Sequence, residues 1–133
     1  LPKHKQMIMT ICDSEKDEAL PVAKRFAALG YTIYATWGTA KFLNDNGVEA
    51  IRVNKVEQES PTLLDLILGH KIDLVIDIPA NGIERSHDGF IIRRHAIETG
   101  VNVLTSIDTA NALLTSLESA GEQHTTPIDI ATI

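Results

Sequence analysis

The strongest constraint on the fold is a regular alternation of short apolar segments with longer helix-like segments that end at glycine or asparagine–glycine. The clearest apolar segment, "DLVIDI" at residues 73–78, is almost continuous, as in a strand covered on both faces. The clearest helical segment, residues 107–119, repeats its apolar residues at i, i+3, i+4 and i+7. Such alternation predicts an α/β fold with right-handed crossovers and a parallel sheet.

The pattern predicts five strands and five helices within one domain. The strands are predicted at residues 7–12, 32–36, 49–53, 73–78 and 101–104, and the helices at 17–29, 39–46, 62–70, 89–99 and 107–119. Residues 7–119 then form the domain, residues 1–6 a linker from a preceding domain, and residues 120–133 a C-terminal tail.

Composition limits the classes of function. A net charge of −6 and a pI near 5.2 argue against binding to nucleic acid or to an anionic membrane. The single cysteine, Cys12, cannot form an internal disulfide, and no apolar run reaches the 18 residues of a membrane span. The sequence therefore predicts a cytoplasmic globular domain.

The stretch "TWGT" at residues 36–39 joins a predicted strand to a predicted helix. The free N–H groups and the dipole of a helix start attract anions, and Gly38 lets a ligand oxygen approach the backbone. The hydroxyls of Thr36 and Thr39 add donors there. Lys16 follows the first predicted strand and Lys55 the third, so the carboxyl edge of the sheet is predicted to bind a phosphate group. The alternative is that Thr39 only caps the helix. The stretch lacks the frame of a P-loop.

Four stretches of the sequence resemble a known protein family. In order, "ATWGTAKFL", "VNKV", "IDLVIDIP" and "DGFIIRRHAIETGVNVLTS" resemble the C-terminal regulatory domain of the carbamoyl-phosphate synthetase large subunit. The resemblance runs from about Thr10 to Leu117. It places the chain in the methylglyoxal-synthase-like group, which implies a three-layer αβα sandwich whose five parallel strands have the order 3-2-1-4-5.

The resemblance also implies a site for a phosphorylated effector such as UMP, IMP or phosphoribosyl pyrophosphate. Trp37 could stack on a base or cover the core. No catalytic residue and no metal ligand is predicted within this domain. The residues that the resemblance assigns to the effector are Lys16, Thr36, Trp37, Gly38, Thr39, Lys55, Asp77, Pro79 and Asn81.

The segment after the fourth strand departs from the family pattern. Relatives often have Asn-Thr-Thr or Asn-Thr-Pro there, and this chain has Asp77, Ile78 and Pro79. Asp77 could accept a hydrogen bond from a ribose hydroxyl, but it would repel a second phosphate. The identity of the effector is therefore open.

The resemblance implies partners outside this domain. The expected partners are the synthetase body of the same polypeptide, which makes carbamoyl phosphate from bicarbonate, glutamine nitrogen and ATP, and a glutaminase small subunit. The parent enzyme is expected to use Mg²⁺ or Mn²⁺ and to serve arginine and pyrimidine biosynthesis. The domain itself is expected to hold no cofactor.

The alternative function is methylglyoxal synthase acting on dihydroxyacetone phosphate. Asp13 and Lys16 keep the Asp-x-x-Lys spacing of that enzyme, and His87-Asp88 resembles its His-Asp pair. Its Gly-Gly-Asp-Gln-Gln stretch, which carries the catalytic carboxylate, has no counterpart. Only Glu57 and Glu59 offer carboxylates in the corresponding loop.

Overall fold

The computed structural model describes residues 4–55, 59 and 61–125, with the backbone alone for residues 121–125. The strands are β1 (Gln6–Ile11), β2 (Thr32–Ala35), β3 (Ala50–Arg52), β4 (Leu74–Ile78) and β5 (Asn102–Leu104). The helices are α1 (Lys16–Ala28), α2 (Trp37–Asp45), α3 (Leu63–Leu68), α4 (His87–Glu98) and α5 (Ile107–Thr125). Short 3₁₀ turns cover Asp13–Glu15 and Ala80–Gly82.

All neighbouring strands pair in parallel, in the order β3-β2-β1-β4-β5. The predicted fold class and strand order are therefore confirmed. Because every strand runs the same way, the residues that follow β1, β2, β3 and β4 meet along one edge of the sheet. The order places β1 at the centre, between β2 and β4.

Alternate residues of the strands point into two separate cores. Met7, Met9 and Ile11 of β1 pack with helices α1, α2 and α5, while Ile8 packs with α3 and α4. In β4, Val75 lies on the α3–α4 side and Ile76 on the other. The sheet is thus covered on both faces, which explains why β4 is almost entirely apolar.

The helix ends differ from the predictions by a few residues. Thr62 and Asp65 form a reciprocal capping box that fixes the start of α3 at Leu63. Helix α5 extends to Thr125 instead of ending near Ser119, so residues 120–125 of the predicted tail are helical. Residues 126–133 of that tail and residues 1–3 of the predicted linker lie outside the described residues.

In the part of the chain that the structure describes, no helix combines the length and apolarity needed to cross a membrane.

Candidate functional site

Helix α2 begins at the carboxyl edge of the sheet, directly after β2. Its N-cap is Thr36, in extended conformation, and the Thr36 side chain makes no capping hydrogen bond. The first N–H groups of the helix have no acceptor within it. Helix α2 starts at Trp37, two residues before the predicted start at Thr39, and the exposed Gly38 leaves the backbone of its first turn accessible.

Lys16 lies beside this helix start. Its Nζ is 4.0 Å from the position that a Cβ on Gly38 would occupy, and its side chain is only 14% exposed. Lys16 also forms an ion pair with Asp13, whose side chain is 99% exposed. The hydrogen bond from Lys16 and its charge lower the pKa of the Asp13 carboxyl. Because the Asp13 side chain of this ion pair is fully exposed to water, the pair is weak.

A cavity of about 430 Å³ opens at the same edge, and we call it the edge cavity. This volume is within the range of small-molecule sites. It brings together residues from the ends of β1, β2, β3 and β4 and from the start of α4. Its lining is Thr10, Thr36, Lys55, Leu63, Asp77, Ser86, His87, Asp88, Gly89 and Ile92.

Thr39 and Trp37 occupy different environments on α2. Thr39 is 5% exposed, and its hydroxyl accepts a hydrogen bond from the Ile11 N–H at 3.2 Å and faces the Ile11 carbonyl at 3.5 Å. Thr39 therefore joins α2 to β1, and the N-cap is Thr36. Trp37 is 56% exposed, so it does not cover the core, and it borders a small depression next to Lys55.

Asp77 lies on the face of the sheet covered by α3 and α4. It is the register partner of Thr10 across the β1–β4 pair, and the Thr10 hydroxyl donates to Asp77 Oδ1 at 2.7 Å. Asp77 is 5% exposed, and its Oδ2 has no hydrogen-bond partner among the described residues. A buried carboxylate oxygen without a donor is costly, so Asp77 Oδ2 needs a proton donor close to it.

Glu84, which the sequence did not single out, brings a second carboxyl group to Asp77. Its Oε1 is also buried, and with both carboxyl groups ionised it has no donor among the described residues. Burial, together with the hydrogen bond to Asp77 and its negative charge, raises the pKa of Glu84 from 4.5 to about 7, against the opposing effects of Arg93 and the Ser86 backbone. Two carboxylates can form a hydrogen bond only if one is protonated, so Glu84 donates to Asp77 when it carries that proton.

Gly89 makes room for this arrangement. A Cβ on Gly89 would lie 1.4 Å from Glu84 Oε1, so the Glu84 carboxyl occupies the space that any other residue would fill. We call Asp77 and Glu84 the acid pair.

Two predicted site residues lie elsewhere. Pro79 is buried and borders a separate depression of about 250 Å³ that also contacts the start of α5. Asn81 is exposed in the turn after β4, with a left-handed φ of 56°. The structure thus brings together Lys16, Thr36 and Gly38, and it places Lys55 and Asp77 in one cavity with Thr36.

The residues of the alternative function are only partly brought together. His87 and Asp88 line the edge cavity at the start of α4. Glu59 is exposed, and its backbone carbonyl accepts a hydrogen bond from the Asn54 amide at 2.7 Å. Glu57 lies outside the described residues. In the described ranges, no cluster of three or more histidine, cysteine, aspartate or glutamate side chains could hold a metal ion.

The architecture and the edge cavity define a class: a three-layer α/β domain with a cationic helix start and an acidic pocket at the carboxyl edge of its sheet. The model of the MGS-like domain family matches residues 18–105. The chain belongs to that family.

Two relatives match the whole chain. It is 62% identical to the "Carbamoyl phosphate synthase large chain" of Lachnoclostridium phytofermentans over 133 residues, and 62% identical to the protein of the same description from Agathobacter rectalis over 134 residues. In both cases the match covers 100% of this chain and 12% of the relative. The chain therefore spans a small part of the length of these relatives.

Solved structures share the fold. A methylglyoxal synthase from Elizabethkingia anophelis NUHP1 has a TM-score of 0.65 and 23% identity, covering 86% of this chain and 79% of that one. A structure described as ForH has a TM-score of 0.63 and 21% identity, covering 90% of this chain and 82% of that one. At these identities the likeness concerns the fold alone.

Proposed function

We propose that this chain is the allosteric regulatory domain of a carbamoyl phosphate synthase large chain and that it binds a phosphorylated effector in the edge cavity. The observation that carries the proposal is the convergence of Lys16, the free start of α2 and the Lys55-lined cavity at one edge of the sheet. The identity to two large chains over the whole domain supports the parent enzyme. The effector classes are UMP, IMP and phosphoribosyl pyrophosphate.

The phosphate is proposed to bind at the start of α2. Helix dipoles contribute about 0.3–1 kcal/mol to anion binding, so the two lysines and the N–H groups supply most of the affinity. Binding requires Lys16 to leave Asp13, which costs little because Asp13 is exposed. The rest of the effector extends into the edge cavity toward Asp77.

Regulation then follows from differential affinity. The effector binds one conformation of the large chain more tightly than another, and coupling of this kind is typically about 1–3 kcal/mol. The proposed partners are the synthetase body of the same polypeptide, which uses ATP with Mg²⁺ or Mn²⁺, and a glutaminase small subunit. The domain itself performs no catalysis in this proposal.

Calorimetric titration of UMP, IMP, phosphoribosyl pyrophosphate and dihydroxyacetone phosphate tests the proposal. Binding of at least one of the first three, lost in Lys55→Ala and kept in Lys24→Ala, is the expected result. Lys24 is an exposed lysine of α1 and matches the charge change. Binding of dihydroxyacetone phosphate alone, with methylglyoxal released, would instead establish the synthase, for which His87 and Asp88 already line the cavity.

A further inference from the structure

The loop after β4, residues 79–86, leads from the carboxyl end of that strand into α4. The two backbone hydrogen bonds that close its 3₁₀ turn, at 3.2 and 3.1 Å, both end on carbonyl groups of the loop itself. These two bonds shape the loop, but they do not tie it to the sheet. The acid pair connects the two, because Glu84 belongs to the loop and Asp77 belongs to β4.

The acid pair joins the loop to the sheet only while it holds a proton. Asp77 is 5% exposed, and the Thr10 hydroxyl already donates to its Oδ1, which leaves Oδ2 for Glu84. With both carboxyl groups ionised, Asp77 Oδ2 and Glu84 Oε1 are buried without a donor among the described residues. One shared proton satisfies both oxygens, whereas two carboxylates in this position repel each other.

The Glu84 carboxyl is also part of the packing at the start of α4. It occupies the space beside Gly89, where an added Cβ would overlap with Glu84 Oε1. The Gly89 N–H donates to the Ser86 hydroxyl at 2.8 Å, which caps the first turn of α4. Ser86 and Gly89 line the edge cavity. A movement of Glu84 therefore reaches the cavity wall, although Glu84 is not itself a lining residue.

The charged groups around Glu84 act on it in opposite directions. Burial and Asp77 raise the pKa of Glu84 to about 7, while Arg93 of α4 and the Ser86 backbone lower it. Once Glu84 is ionised, Asp77 repels it and Arg93 attracts it, so both groups favour its departure from β4. The other titratable residues at the cavity wall are Lys55, His87 and Asp88.

We propose that the acid pair is a proton-dependent latch: with its proton it holds the loop after β4 to the sheet and the start of α4 in the wall of the edge cavity, and without the proton it releases both. The latch shapes the cavity with or without a ligand. The inference therefore does not depend on the proposed function.

The direction of the pH effect follows from proton linkage. The closed latch binds a proton with a pKa of about 7, whereas Glu84 in the open loop has its ordinary value of 4.5. The closed latch is therefore fully favoured below pH 4.5, and the opening equilibrium rises with pH until it levels off above about pH 7. Because Glu84 is partly screened by water, we expect about a tenfold increase in opening between pH 5 and pH 8, less than the full linkage.

Hydrogen–deuterium exchange with mass spectrometry measures this opening in the full-length chain. Peptides covering residues 79–90 report on the loop and on the first turn of α4. Peptides from residues 107–117 of α5 serve as an internal reference, because they experience the same pH without contacting the latch. After correction for the intrinsic pH dependence of amide exchange, the expected result is a rise in opening of residues 79–90 alone.

Matched variants hold the latch in one state. In Glu84→Gln the amide donates to Asp77 at every pH, and in Asp77→Asn the amide donates to ionised Glu84, so both should keep the low opening that the wild type shows at pH 5. Gly89→Ala should expel the Glu84 carboxyl and give high opening at pH 5 already. Glu49→Gln, an exposed control with the same charge change, should follow the wild type.

Three results would overturn the inference. Opening of residues 79–90 in the wild type would not change with pH, or it would change equally in Glu84→Gln, which would assign the effect to another group such as His87. Low opening at pH 5 in Gly89→Ala would show that the Glu84 carboxyl does not hold the loop. Circular dichroism verifies that each variant is folded.

Discussion

The pKa values of two carboxyl groups, Glu84 and Asp13, are shifted in opposite directions. Glu84 has its pKa raised by burial and by Asp77, whereas the Lys16 ammonium lowers the pKa of Asp13. The first effect belongs to a partly enclosed pair and bears on stability, because the folded state holds a proton that the unfolded state releases. The second belongs to a fully exposed side chain and bears on the proposed function, in which a phosphate competes with Asp13 for Lys16.

Glu84→Gln is expected to change how stability depends on pH. The pKa of Glu84 is about 7 in the folded state against about 4.5 unfolded. The folded state therefore binds more protons between these values, and the contribution to stability that is present below pH 4.5 is lost as pH rises through 7. Glutamine does not titrate and can still donate to Asp77. Relative to wild type, the variant should gain about 1–2 kcal/mol between pH 5 and 8, less than the full linkage because the side chain is partly screened by water.

Urea denaturation at pH 5, 6, 7 and 8 measures this effect. Glu49→Gln removes an exposed carboxyl with the same charge change and should run parallel to the wild type. Parallel profiles for Glu84→Gln and the wild type would show that Glu84 is ionised at all these pH values and that the acid pair holds no proton.

Asp13→Asn is expected to tighten binding of a phosphorylated ligand. Lys16 then no longer has to exchange Asp13 for the phosphate. Since exposed ion pairs are weak, the gain should be about two- to fivefold. Asp17→Asn is the matched control, because Asp17 is exposed in the first turn of α1 and its loss changes the net charge equally. Weaker binding in Asp13→Asn would mean that Asp13 itself contacts the ligand, as the synthase alternative requires.

At the scale of elements, the site depends on the position of α2 against β1. Thr39 lies in the first turn of α2, and its hydroxyl accepts a hydrogen bond from the Ile11 N–H at the end of the central strand β1. The adjacent Ala40 N–H bonds to the Thr36 carbonyl and closes the first turn. These contacts hold the free end of α2 at the sheet edge, where Lys16 reaches Gly38.

Thr39→Val should destabilise the domain by about 1–3 kcal/mol, because a buried Ile11 N–H loses its acceptor while the side-chain shape is kept. Thr115→Val is the control. Its hydroxyl bonds to the Asn111 carbonyl on the exposed side of α5, so its loss should change stability by under about 0.5 kcal/mol. Equal free energies of unfolding for the two variants would show that the Thr39 contact does not fix α2.

Periodicity predicted the elements and the sheet edge but not the acid pair. The continuous apolar run of β4 and the leucine spacing of α5 are consequences of burial, so they are visible in the sequence. Convergence of Lys16, Gly38 and Lys55 follows from parallel strands having a common carboxyl edge. The position of Glu84 depends on how the loop after β4 packs on α4, and a loop side chain leaves no periodic signal. Strand alternation could have paired Thr10 with Asp77, since both lie on the α3–α4 face.

At the scale of the whole molecule, the two sides of the sheet have separate cores, and the site lies across the edge between them. Lys16 and Gly38 belong to elements on the α1–α2 side, while Asp77 and Ser86 to Gly89 belong to the α3–α4 side. In the proposed function, an effector that extends from Lys16 and Gly38 to Asp77 contacts elements of both helical layers. Regulation by that effector then requires that its contacts with the two layers differ between two conformations of the large chain.

The large chain that contains this domain should lose its response to effectors in Lys55→Ala. The measurement is the ratio of carbamoyl phosphate synthesis with and without a saturating effector, in the assembled enzyme with glutamine as nitrogen donor. A coupling of about 1–3 kcal/mol changes the affinity for a substrate roughly 5- to 150-fold when the effector binds. The rate ratio of the wild type is therefore measured at substrate concentrations well below saturation, where the rate follows that affinity. In Lys55→Ala the ratio becomes one, because the phosphate loses a cation at the cavity wall. Lys24→Ala, at an exposed lysine of α1, keeps the wild-type ratio. A wild-type ratio in Lys55→Ala would place the effector outside the edge cavity, and regulation would then have to act through another surface of the large chain.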